Sequence, residues 1–172
     1  GVQLVEPVMF GSEAVSSTRL RRILSEDGNV EDAALMLTRV HETSGRVVPG
    51  DQRGREIGFP TANLEVAPVQ LPKDGVYAAV ARVLDQPDAP LLHGIANLGN
   101  RPTFDAGHSV EVHLFGFEGD LYGRRLRLGF VARIRGEAKF DGLEALRSQI
   151  DRDCDQAKNA LQQLSPDLVR WI

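Results

Sequence analysis

The stretch GREIGFPTANL, residues 54–64, holds residue types that suit phosphate chemistry. Gly50, Gly54 and Gly58 permit close backbone approach or positive φ. Arg53 and Arg55 bring guanidinium groups, which match phosphate oxygens, to the same loop. Pro60 favours an extended Phe59. Thr61 and Asn63 then share one side of an extended segment and each offers a neutral oxygen. Mg²⁺ is a hard cation that prefers oxygen ligands, and neutral ones suffice where substrate phosphates supply the negative charge. A capped turn leading into a strand accounts for the same residues, and the stretch by itself leaves both readings open.

A second constellation is SVEVHLF, residues 109–115. Val110, Val112 and Leu114 fall on one strand face, which leaves Glu111 and His113 on the other. If the aliphatic face enters a core, Glu111 faces outward as a candidate general base; a solvated strand glutamate is the plainer alternative. NRPTF, residues 100–104, reads as a proline turn with an aromatic residue. Other chemistries find no support. The glycines of 50–58 do not lead into Gly-Lys-Ser/Thr and are not spaced as G-x-G-x-x-G, so neither a P-loop nor a Rossmann fingerprint is present. His41, His93, His108 and His113 show no metal-ligand spacing and read as surface or strand-face residues. Cys154 is the single cysteine, which excludes an internal disulfide framework and fits a small core residue.

The elements that must position these residues change character along the chain. VQLVEPVMF is an apolar run that Pro7 confines to a sheet edge or breaks. SSTRLRRILSEDG has hydroxyl residues for an N-cap and Gly28 for a C′ position, and NVEDAALMLTR has Asn29 as a cap with Val30, Ala33, Ala34 and Leu37 on one face. From about Ser44 the period falls to two: GRVV, GVYAAVARVL, LLHGIANLG, SVEVHLFGF and LRLGFVARI all read as strands. In residues 126–134 Leu126, Leu128, Phe130, Ala132 and Ile134 alternate with Arg127 and Arg133, which predicts one buried and one wet face. Leu143, Leu146, Ile150, Ala157, Leu161 and Leu164 then form a helical stripe, with Asp141 and Glu144 spaced as a capping box. Short strands without intervening helices predict an antiparallel barrel or sandwich.

Composition narrows the class. The chain has 172 residues, 42% hydrophobic and 26% charged, with a formal net charge of −4. That balance argues against a nucleic-acid binder. The apolar runs are too short to span a membrane, and no charged and apolar leader opens the chain, so a cytoplasmic protein with no membrane partner is expected.

RGREIGFPTANL, NLGNRPTF, SVEVHLF, DLYGRRL and IRGEAKFDGLEALRSQIDRD occur in the order and with the spacing found in bacterial riboflavin kinases, which this chain resembles over roughly residues 44–165. VSSTRLR also resembles the ATP-phosphate motif near the end of the FMN adenylyltransferase module, which is commonly fused to the kinase in bifunctional FAD synthetases. The resemblance implies a six-stranded antiparallel Greek-key β-barrel with a C-terminal helix, preceded by a short helical segment. It implies that residues 1–39 are the remnant and linker of the adenylyltransferase module and residues 40–172 the kinase domain.

It further implies transfer of phosphate from ATP to riboflavin, giving FMN and ADP, with Mg²⁺ as cofactor. By motif match, Thr61 and Asn63 hold Mg²⁺ and the ATP phosphates, Gly50–Gly58 with Arg53 and Arg55 form a flap over the nucleotide, and Glu111 accepts the proton of the ribityl 5′-hydroxyl. Arg135, Phe140 and Asp153 fall in the flavin-side segment, and Ser16, Ser17, Thr18 and Arg21 in the adenylyltransferase phosphate motif. There is no HxGH-type motif, so the chain is expected to stop at FMN, with residues 1–39 loosely packed or held by the missing adenylyltransferase module. The linker TRVHETSG lacks the aromatic residue the family leads one to expect near residue 40. The rival reading is a non-catalytic flavin- or nucleotide-binding barrel, which has no use for a carboxylate aimed at the 5′-hydroxyl.

Overall fold

The computed structural model describes residues 1, 3–50, 54, 57–86, 88–100 and 108–172, with the side chain of residue 100 not included. Arg53, Arg55 and most of the NRPTF turn lie outside the described residues. A two-residue hairpin of β1 (Met9–Phe10) and β2 (Glu13–Ala14) is followed by α1 (Ser17–Arg22), a π-helical turn (Ile23–Asp27) and α2 (Val30–Leu37). Then come β3 (His41–Val48), β4 (Ala62–Val66), β5 (Gly75–Val83), β6 (Leu92–Asn100), β7 (His108–Leu114), β8 (Arg125–Arg135) and the C-terminal helix α3 (Leu143–Gln162).

The last six strands close into an antiparallel barrel in the order β3-β4-β7-β6-β5-β8. Three consecutive strands, β5 to β7, pair as neighbours while β4 returns beside β7, which is a Greek key. Tyr77, Leu98, Val110, Val112, Leu126, Leu128 and Phe130 fill the interior. The aliphatic face of β7 therefore points inward as its alternation predicts, and Glu111 and His113 point out.

A second apolar cluster lies outside the barrel wall. Val76, Ala78 and Val80 of β5, Ile95 and Val131 meet Cys154, Ala157 and Leu161 of α3, with Val169 and Ile172 beyond it. This corrects the expectation for residues 126–134. The wet face of β8 is confined to its beginning, because from Gly129 on the C-terminal segment covers the outside: a Cβ there would sit 2.8 Å from both Ile172 and Val40. The α3 stripe likewise divides. Ala157 and Leu161 are buried against the wall, whereas Leu143 is exposed. The expected capping box does not form, since Gly142 is the N-cap, at φ 111°, and no side chain caps the helix.

The N-terminal caps form as read: the Ser16 hydroxyl accepts from Arg19 N at 3.2 Å and Asn29 Oδ1 from Asp32 N at 2.9 Å. The α-helix from Ser17 stops at Arg22, and the continuation to Gly28 is the π-helical turn. Gly28 is at φ 69°, and a Cβ on it would meet the Arg133 side chain at 2.6 Å, so both conformation and space require glycine. Loose packing holds only for the beginning of this segment. Ile23, Leu24, Val30 and Ala33 belong to the same core as the barrel interior. Lys73 N donates to Leu24 O at 2.8 Å and Arg133 N to the Glu31 carboxylate at 3.2 Å. Among the described residues before Ile23, none is buried.

Candidate active site

β4, β7 and β6 bring the candidate chemistry onto one rung. Asn63 lies directly opposite Glu111, and Glu111 directly opposite Asn97. The same rung continues through Val76 to Arg135. Glu111 and Arg135 are therefore three strand spacings of about 4.8 Å apart around the curved wall, and both border the same cleft. The Thr61 hydroxyl donates to Glu111 Oε2 at 3.4 Å, and the Ser109 hydroxyl to Oε1 at 3.3 Å. Thr61, Asn63 and Glu111 are thus one cluster. Gly50 presses on it: a Cβ there would lie 2.1 Å from Asn63 Nδ2, so only glycine lets the chain pass so close.

Two clefts open beside this cluster, onto Thr61 and Glu111, while Asn63 is buried beneath Gly50 and lines neither. One, of about 480 Å³, runs between Pro60–Ala62, Val112, Leu114 and the segment Phe117–Tyr122. The other, of about 620 Å³, lies between the β6–β7 face and α3 and is bordered by Phe59, Ile95, Asn97, Glu111, Phe140 and Leu146. Thr61 lines both. The upper half of the α3 stripe, exposed Leu143 and half-buried Leu146, walls the second cleft, which explains why apolar side chains there are not fully covered.

Arg135, Phe140 and Asp153 all border the larger cleft. They form a single unit. The Arg135 guanidinium lies 5.4 Å from the Phe140 ring centre, and its Nη2 is 2.8 Å from Asp153 Oδ2. Asp153 is 1% exposed and also accepts from Gln149 Nε2 at 2.8 Å. Its oxygens are already used, so Asp153 orients Arg135 from behind, while Arg135 and Phe140 face the cleft. Gly54 borders the larger cleft, Gly50 lies over Asn63, and Gly58 stands at φ 90° just before Phe59. Ser16, Ser17, Thr18 and Arg21 are exposed and line neither cleft.

Sequence reasoning passed over Asn97 and the wall formed by Phe117, Leu121 and Tyr122. For Asn97 the signal was its place opposite Glu111, which no local period reveals. Among the described residues no three His, Cys, Asp or Glu side chains gather as a metal site. The Thr61 and Asn63 oxygens fit a hard cation that draws its remaining ligands from phosphate.

A family model for riboflavin kinase (flavokinase) matches residues 37–161. The chain belongs to the riboflavin kinase family. Riboflavin kinases use ATP and a divalent metal. The bifunctional riboflavin kinase/FMN adenylyltransferase of Bacillus subtilis (strain 168) is 36% identical over 162 residues, covering 91% of this chain and 50% of that protein. The protein of the same description from Escherichia coli (strain K12) is 42% identical over 145 residues, covering 83% and 45%. The chain therefore spans about half the length of these relatives.

Among solved structures, one described as a macrolide-efflux protein from Streptococcus pneumoniae superposes with a TM-score of 0.77 at 35% identity, over 94% of this chain and 51% of that one. Riboflavin kinase from Trypanosoma brucei superposes with a TM-score of 0.52 at 24% identity, over 74% and 82%, which shows the shared riboflavin kinase fold. Among the described residues no helix is long and apolar enough to cross a membrane.

Proposed function

We propose that the Thr61–Asn63–Glu111 cluster transfers the γ-phosphate of Mg-ATP to the ribityl 5′-hydroxyl of riboflavin. The observation that carries this is the position of Thr61, which lines both clefts and touches Glu111. A phosphate donor in one cleft and an alcohol acceptor in the other would meet there. The larger cleft, with Phe59, Phe140 and Arg135, suits a planar ring system, and Glu111 on the same cleft suits the end of its polar chain. The cleft beside Phe117–Tyr122 takes the nucleotide, with Thr61 and the Gly50–Asn63 contact on its phosphate side, and Arg53 and Arg55 are proposed to supply guanidinium groups to those phosphates.

Phosphoryl transfer demands placement and charge neutralisation more than a strong base. Mg²⁺, held by the Thr61 and Asn63 oxygens together with the phosphates, supplies that neutralisation when bound. Glu111 orients the 5′-hydroxyl and accepts its proton as the new P–O bond forms; ADP departs and FMN remains. A non-catalytic binder would have no need to place a carboxylate where the two clefts meet.

The relatives are bifunctional, and the chain spans half of them. We propose that residues 1–39 derive from the adenylyltransferase module and its linker, that residues 40–172 are the kinase domain, and that these 172 residues make FMN and not FAD. The boundary is one of origin, since residues 23–37 pack on the barrel. The cytoplasm, where ATP and riboflavin meet, is the proposed location. Incubating the chain with riboflavin and Mg-ATP and separating the flavins by chromatography tests the reading. FMN with stoichiometric ADP is expected; unchanged riboflavin would overturn it.

A further inference from the structure

The ladder between β4 and β7 ends at Ala62 opposite Val112. Thr61, the next residue toward the clefts, carries the hydroxyl that reaches Glu111, and it lies beyond that last pair. Pro60 has no N–H with which to continue the ladder. A strand end left without partners frays, and a frayed Thr61 would have no fixed position between the two clefts.

The side chain of His113 takes the place of the missing bond. Its Nδ1 lies 2.8 Å from the Pro60 carbonyl oxygen. A carbonyl can only accept, so the hydrogen sits on Nδ1. The ring is held by its surroundings, edge-on to Phe59 at 5.6 Å and to Phe115 at 5.9 Å between centres. The Pro60 carbonyl belongs to the rigid peptide plane that carries Thr61, so fixing that oxygen fixes the direction in which Thr61 leaves the plane. Two consecutive outward residues of β7, Glu111 and His113, thus grip two consecutive residues of the incoming segment.

We infer that His113 is a positioning residue: its Nδ1–H replaces the absent ladder bond and holds the Thr61 hydroxyl beside Glu111. The inference rests on the phosphotransfer reading of the site. A displacement of about 1 Å at such a centre can cost on the order of 10²-fold in rate.

The test compares His113→Phe, which keeps a ring against Phe59 and Phe115 but loses the donor, with His113→Asn, whose amide nitrogen can stand where Nδ1 stands. Because His113 also borders the larger cleft, riboflavin affinity is measured separately and is expected to fall no further in the Phe variant, which keeps a ring there, than in the Asn variant. Turnover should fall roughly 10- to 100-fold in the Phe variant and return to within about fivefold of the parent in the Asn variant. Undiminished turnover in the Phe variant, or equal loss in both, overturns the inference. If either variant fails to fold, ¹⁵N NMR of the histidines in the unaltered chain decides: a protonated Nδ1 on His113 is expected, and a bare Nδ1 overturns it. An unaltered chain that phosphorylates no riboflavin is a different outcome, since it removes the phosphotransfer reading itself.

Discussion

The Thr61 hydroxyl and a Glu111 carboxylate oxygen stand 3.4 Å apart, although the residues are 50 positions apart in sequence. A hydrogen bond that long is weak, so each group is free to exchange it for a shorter one to a substrate. Glu111→Gln preserves the shape and removes the ability to take a proton. Turnover should fall by about 10²-fold or more, in the usual range for loss of a general base, with riboflavin affinity largely kept. Steady-state kinetics with a separate riboflavin titration reads both. An unimpaired rate would return Glu111 to the status of a solvated strand residue.

Thr61→Ala and Asn63→Ala remove the two neutral oxygens assigned to the cation and phosphates. Apparent affinity for Mg-ATP should drop by roughly tenfold or more in each, equivalent to about 1.4 kcal/mol, while riboflavin binding changes little. Calorimetric titration of each ligand separates the two effects. Parallel loss of both ligands would mean that the edge of β4 had been disrupted.

Much of this site could be read from local sequence. The alternation in SVEVHLF placed Glu111 and His113 outward, and the spacing in FPTAN put Thr61 and Asn63 together, because strand period two is a short-range rule. Successive short strands pointed to an antiparallel barrel or sandwich, and the family resemblance selected the barrel. The rung from Asn63 through Glu111 and Asn97 to Arg135 was not readable, since it depends on register between strands distant in sequence. The same holds for burial of Ile23, Leu24 and Val30. Their helical face looked like a remnant with little core, and the surface it covers is the barrel itself.

Cys154 gives a prediction in pH. Burial pushes its thiol from 9.0 up to about 11, with nearby carboxylates adding to the rise and Lys158 opposing it. The folded state keeps a proton that the unfolded chain releases. The associated stability is therefore complete below pH 9 and lost as pH rises from 9 to 11. Melting temperatures over that range should fall more steeply in the parent than in Cys154→Ala. At pH 8 iodoacetamide should label the native chain far more slowly than the denatured one, as mass spectrometry would show. Equal labelling rates would contradict a buried thiol.

The N-terminal segment yields the sharpest contrast between where residues come from and what they now hold up. Up to Arg22 none of the described residues is fully buried: Leu20 packs on the margin of the core, and Leu4, at 95% exposed, contributes nothing to it. Leu24, at 3%, and Val30, at 0%, close one end of the barrel, and Lys73 and Arg133 bond to this cap through Leu24 O and Glu31. Removing residues 1–22 should leave melting temperature and kinase activity close to those of the parent. Removing residues 1–39 exposes the barrel end and strands those bonding partners, so the product should be aggregated or unfolded. Leu24→Ala isolates the packing contribution, with an expected loss of roughly 2–5 kcal/mol in denaturant unfolding. Chemical denaturation of the three variants, with FMN formation measured alongside, checks the series. A fully active, fully stable chain lacking residues 1–39 would show that the segment only rests on the barrel, as the sequence by itself suggests.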